Sequence, residues 1–170
     1  PKPTYIIANP DAVSIKGLRS IVQMLGVIPI PQQLKAMPHF IDAVEGRANE
    51  GGCVVIYPEA HIWPYCDFLR PFPATSFRYP VRTGLPVLFA VTTYRERRSL
   101  FSRKRAPAST VTLSDPVLPD PTLSPKEAQR ELCLKARAFM QEVLAESPHV
   151  PYVRYEQRPA DAEDAGSARA

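Results

Sequence analysis

Cys53-Val54-Val55-Ile56-Tyr57 is an unbroken apolar run, and Pro58 stops it at once. A strand that is apolar on both faces belongs in a sheet covered by helices on each side, which points to an α/β chain with this strand at its centre. The residue after the proline is Glu59. In an open α/β sheet, groups just beyond the carboxyl end of a strand face the crevice where ligands bind, so the carboxylate is placed for recognition or chemistry. The same pair also suits an ordinary exit turn, and the local pattern does not choose between the two.

The remaining elements fall around that strand. Tyr5-Ile6-Ile7-Ala8 reads as a first strand, Asn9-Pro10-Asp11 supplies cap and turn chemistry, and Leu18, Ile21, Val22 and Leu25 recur at helical spacing until Gly26. Val27-Ile28-Pro29-Ile30-Pro31 is a short apolar run that only an edge strand tolerates. Gln32 to Met37 allows one helical turn, and Pro38 opens a helix with Phe40, Ile41, Val44 and Ala48 on one face and Gly51-Gly52 at its end. A proline- and aromatic-rich stretch from Pro58 to about Thr83 exceeds ordinary loop length, the mark of a functional excursion or of irregular short helices.

Leu85 to Thr93 reads as a second continuous apolar strand, forming a hairpin with the alternating Ser109-Thr110-Val111-Thr112-Leu113. Between them lies a basic tip running from Arg95 to Arg105. Ser124-Pro125-Lys126-Glu127 is a capping box, followed by Leu132, Ala136, Phe139, Met140 and Val143 on one helical face. The predicted organisation is one α/β domain over residues 1–155, with a mixed, mostly parallel central sheet flanked by helices, and a disordered polar tail over 156–170.

Composition agrees with one domain, since 170 residues at 45% hydrophobic content build one sizeable core. Twenty prolines against seven glycines imply many short, stiff connections. The three cysteines, Cys53, Cys66 and Cys133, have no Cys-x-x-Cys spacing and no histidine at a zinc-like interval, so neither a disulfide framework nor a metal site is indicated. A formal charge of +4 suits an acidic partner. Nucleic acid is not the expected one, because Tyr94 and Phe101 are the only aromatics at the basic tip. No apolar run approaches a membrane span.

Several blocks, in order, resemble the glycerolipid acyltransferases, the family that includes the lysophosphatidic acid acyltransferases. Ile56-Tyr57-Pro58-Glu59 resembles the family's Phe-Pro-Glu-Gly block, and Gly26-Val27-Ile28-Pro29-Ile30 resembles the block before it. Pro71-Phe72 followed by Phe77-Arg78 is similar to its Pro-Phe then Phe-Arg segment, and Gly84-Leu85-Pro86-Val87-Leu88 to its Gly-x-Pro-Val strand. The resemblance spans roughly Pro3 to Glu146. It implies transfer of a fatty acyl group from acyl-CoA or acyl carrier protein, as co-substrate rather than cofactor, to a lysophospholipid or related hydroxyl. Phospholipid biosynthesis is the setting that it implies, and the cysteine usage suits a reducing cytosol, with peripheral contact at the inner face of the membrane expected.

The chain departs from the family in two respects. Where the family has Glu-Gly-Thr-Arg this chain has Glu59-Ala60-His61-Ile62, and the arginine after the earlier block falls near Gln32. Two phosphate-binding cations are therefore displaced, leaving His61, Arg70 and Arg78 as candidates beside Pro58 and Glu59 for the substrate-binding set. An arginine offers phosphate a bidentate fork that a histidine lacks, so the acceptor site is altered. The second departure is the family's catalytic His-x4-Asp pair, which is absent; His39 and Asp42 lie three apart and His61 and Asp67 six apart. The resemblance implies a dyad ahead of Pro1, with no catalytic residue on this chain and a fragment inactive by itself. A non-catalytic lipid- or phosphate-binding relative is the alternative. Trp63-Pro64-Tyr65 reads either as a wall of an acyl or acceptor pocket or as filling beneath the loop. The basic tip reads as a solvated hairpin end or as a contact for an anionic membrane surface.

Overall fold

The computed structural model describes residues 2–9, 24–60, 63–96, 106–147 and 152–156. The helix expected between Asp11 and Gly26 lies outside them except for its last three residues, as do His61, the basic tip from Arg97 to Arg105 and the tail from Gln157 onward. Strand β1, Thr4–Ala8, is flanked in parallel by β2, Val27–Pro29, and β3, Cys53–Val55. Ile6 pairs with both Val27 and Val55. Pro29 has no N–H to give, and the ladder continues past it through the Ile30 N–H, which donates to the Ala8 carbonyl at 2.9 Å. Its place on an edge strand is the one its chemistry allows. Gly26 leads into β2 at φ +85°, and a Cβ there would lie 2.4 Å from the Thr4 carbonyl oxygen, so only glycine fits.

The sheet centre differs from expectation. β1 holds the middle, whereas β3 is three residues long and lies at the other edge of this ladder, with Cys53 exposed. The apolar run continues past the strand because Val54 and Ile56 pack under helix α1, Met37–Asn49, together with the buried Phe40 and Val44 and with Ile7 of β1. Burial, rather than central pairing, accounts for its composition. A 3-10 turn, Leu34–Ala36, precedes α1, and Pro38 occupies its first turn. At its end Gly51, at φ +87°, donates to the Ala48 carbonyl, and Gly52 donates to that of Arg47.

The long excursion contains the short helices expected of it, a 3-10 segment Ala74–Phe77 running into α2, Arg78–Thr83. Next come β4, Ala90–Arg95, and β5, Ala108–Leu113, paired antiparallel from Ala90 with Leu113 to Arg95 with Ala108. Leu85 to Phe89 is not part of that strand: Val87 makes a single bridge to Val117. Pro86 has no N–H for a ladder, and one more residue separates Leu113 from Val117 than Val87 from Ala90. The Ser114 hydroxyl fills the interruption by accepting the Phe89 N–H at 2.9 Å.

Helix α3, Pro125–Glu146, begins with the predicted capping box, the Ser124 side chain accepting from the Glu127 N–H while the Glu127 carboxylate accepts from the Ser124 N–H. Its Leu132, Cys133 and Ala136 are buried against Phe72, Phe77 and Phe89, and this second core is separate from that of Ile7, Phe40 and Val44. Helix α2 belongs to both, with Tyr79 packed on the first core and Val81 on the second. Arg82 of α2 also donates to Glu45 of α1 at 3.1 Å. The result is a mixed α/β domain with a parallel three-stranded sheet, the fold class read from the sequence. Among the described residues no helix is long and apolar enough to cross a membrane.

Candidate functional site

The chain leaves β3 through Ile56 and turns at Tyr57-Pro58-Glu59-Ala60, where the Ala60 N–H donates to the Tyr57 carbonyl at 3.2 Å. Pro58, with its fixed φ, holds the second position of that turn. Ala60 has φ +63°, the left-handed region that favours glycine. This is the position at which the resembling block carries glycine.

The turn delivers Glu59 to Arg70. Arg70 Nε donates to Glu59 Oε2 at 2.9 Å, the Arg70 backbone N–H reaches Oε1 at 3.4 Å, and Arg70 Nη2 donates to the Glu59 carbonyl oxygen at 3.4 Å. The pair is unequally covered, with the Arg70 side chain 11% exposed and that of Glu59 30% exposed. A partly buried pair with three convergent hydrogen bonds is held more firmly than an exposed surface pair. The carboxylate is therefore fixed in direction while part of it remains open to solvent.

Arg70 also has an aromatic floor. Its guanidinium carbon lies 4.7 Å from the centre of the Trp63 ring, a cation–π contact. Trp63 meets Phe68 edge-on at 6.0 Å and stacks on Tyr155 at 4.8 Å. Tyr155 donates its hydroxyl to the Pro64 carbonyl at 2.5 Å. Tyr65, at φ +58°, packs against Tyr94 of β4 at 5.4 Å and against Tyr152 at 4.6 Å. The Cys66 thiol donates to the Phe68 carbonyl at 3.3 Å. Burial pushes its pKa up, and the negative charge of Glu59 adds to that rise, while the hydrogen bond to Phe68 and the nearby Arg70 oppose it.

Of the five sequence-nominated residues, Pro58, Glu59 and Arg70 come together in one loop. Arg78 opens α2, carries no ion pair among the described residues, and lies close enough to Tyr79 to lower that phenol's pKa against the stronger upward push of burial. His61 lies outside the described residues. Trp63 lies against the Arg70 guanidinium, and Tyr65 against Tyr94 of β4. Sequence reasoning missed Tyr152 and Tyr155. The available signal was two tyrosines, with Pro148 and Pro151, just after the end of a strongly periodic helix.

No family model matches the chain, and no curated protein does. Its structure is similar to the crystal structure of the 1-acyl-sn-glycerophosphate (LPA) acyltransferase PlsC from Thermotoga maritima, with a TM-score of 0.57 at 17% sequence identity. The likeness covers 86% of this chain and 59% of that one. At that identity the likeness is one of fold: the chain has the acyltransferase-like α/β architecture.

Proposed function

We propose that this chain is the acceptor-binding part of an acyltransferase that moves a fatty acyl group from acyl-CoA or acyl carrier protein to a lysophospholipid or a related hydroxyl. The observation that carries the reading is the Glu59–Arg70 pair at the carboxyl end of β3, in a chain whose fold resembles that of PlsC. In such a transfer the acceptor oxygen forms a bond to the thioester carbonyl carbon, the carbon–sulfur bond breaks, and the hydroxyl proton goes to a base. In this proposal that base is the histidine of a His-x4-Asp pair, which these 170 residues do not contain. Glu59 does a different task. Anchored by Arg70 on one side, its carboxylate accepts hydrogen bonds from acceptor hydroxyls on the other and orients them for attack.

The acceptor phosphate needs cations. Arg70 directs Nε and Nη2 toward Glu59, which makes Arg78 and His61 the partners of choice for the phosphate in this proposal. The basic tip from Arg95 to Arg105 brings the site to an anionic bilayer, at about 1 kcal/mol per charge near such a surface. The second reading is a protein that binds lysophospholipid or phosphate without transferring acyl groups.

The test is Glu59→Gln in the complete protein, assayed with 1-acylglycerol 3-phosphate and palmitoyl-CoA. Loss of one charged hydrogen bond is expected to raise the acceptor KM about tenfold or more. Unchanged acceptor affinity and turnover would remove the role given to Glu59. Binding of the lysophospholipid without any acyl transfer would leave the second reading.

A further inference from the structure

The described segment nearest the C-terminus, Tyr152–Glu156, has no task in the proposed reaction, yet it is fastened to the site loop at several points. Tyr155 stacks on Trp63 at 4.8 Å, meets Phe68 edge-on at 5.9 Å and donates its hydroxyl to the Pro64 carbonyl. Tyr152 meets Tyr65 edge-on at 4.6 Å. The pairing is long-range: Tyr155 is 91 residues from Pro64 in the sequence. Trp63 faces Arg70, and Arg70 holds Glu59 by side chain and backbone together. A continuous line of contacts therefore runs from Tyr155 through Trp63 and Arg70 to the carboxylate.

We propose that Tyr152–Glu156 is a strap across the site loop and that Tyr155 is a positioning residue, holding Trp63 against Arg70 so that Arg70 keeps Glu59 in the orientation that binds the acceptor. The physical need is plain. The loop contains two non-glycine residues at positive φ, Ala60 and Tyr65, a conformation that persists only when surrounding contacts impose it. Aromatic stacking and a hydrogen bond to the Pro64 carbonyl supply such contacts from outside the loop. The positioning role rests on the acceptor-binding reading of Glu59. The docking of the strap does not.

Trp63 is the sole tryptophan of the chain and lies within the contact, so it reports directly on the strap. The experiment compares Tyr155→Ala and Tyr155→Phe in the complete protein, with Trp63→Phe as the fluorescence blank. Tyr155→Ala is expected to shift Trp63 emission to the red and make it more quenchable by acrylamide, whereas Tyr155→Phe, which keeps the ring, stays near the parent. With 1-acylglycerol 3-phosphate and palmitoyl-CoA as probes, Tyr155→Ala is expected to raise the acceptor KM about tenfold with kcat held within about twofold, and Tyr155→Phe to restore most of the loss. A merely structural role would instead lower kcat with the active fraction and leave KM unmoved.

Unaltered Trp63 emission in Tyr155→Ala overturns the strap. Altered emission with an unaltered acceptor KM overturns the positioning role. If the parent protein neither binds nor acylates the lysophospholipid, the acceptor reading of Glu59 falls and the positioning role falls with it, while Trp63 emission still decides the strap. Should Tyr155→Ala fail to fold by circular dichroism, Tyr155→Leu keeps apolar cover without the aromatic stack and carries the same expectations.

Discussion

Ala60 holds a glycine's conformation with an alanine's side chain. At φ +63° the methyl crowds the following carbonyl, which costs about 1 kcal/mol relative to a residue without Cβ. Ala60→Gly removes that strain and adds about 0.5 kcal/mol of unfavourable backbone entropy, so the variant is expected to gain about 0.5 kcal/mol in stability. A higher urea midpoint at unchanged slope is the confirming result, and a lower midpoint would mean that the methyl packs productively. The site's legibility also divides at this scale. Glu59 was readable because a proline ending an apolar run marks a strand exit, a local signal. Its partnership with Arg70 was not, because Arg70 lies eleven residues on, across a loop whose path no periodicity records. Tyr155 was further still from any local signal, since ring stacking between distant segments leaves no spacing in the sequence.

Elements differ in how much of their order is local. Helix α3 was readable at both levels: Ser124 and Glu127 form the capping box, and Leu132 and Ala136 face the core where the 3.6-residue period put them. Helix α1 and the edge position of β2 were readable for similar reasons, the one from its stripe and glycine end, the other from Pro29. The central place given to β3 failed, as did the strand start at Leu85, and both failures share a cause. An unbroken apolar run reports burial, while strand order and ladder continuity depend on partners elsewhere in the chain. Those partners are β1 for Cys53–Val55 and the Ser114 interruption for Phe89. The strength of α3's docking is testable at Leu132, which is fully buried among Phe72, Phe77 and Phe89. Leu132→Ala is expected to cost about 3 kcal/mol, the transfer term plus that of an unfilled cavity. A loss below about 1 kcal/mol in chemical denaturation would show that the neighbouring rings collapse into the space.

At the scale of the molecule the question is whether two cores behave as one. The first is built on β1, β3 and α1, the second on α3, the excursion and the residues Val87 and Phe89 ahead of β4, and no ladder joins the two sheets among the described residues. What joins them is α2, six residues long, with Tyr79 in one core, Val81 in the other and Arg82 hydrogen-bonded to Glu45 of α1. A helix that short has no stability apart from its packing, so it folds only when both cores are formed. Unfolding is therefore expected as one cooperative transition, with far-UV circular dichroism and Trp63 fluorescence giving coincident melting curves. Tyr79→Ala removes the α2 contact with the first core and is expected to lower the common midpoint, or to split it, by separating the second core from the parallel sheet. Two well-separated transitions in the parent protein would show instead that α2 does not couple the cores. In that case the carboxylate after β3 and the strap residues beside β4 would belong to independently folding halves, and the Glu59 site would have to be held together by the loop contacts alone.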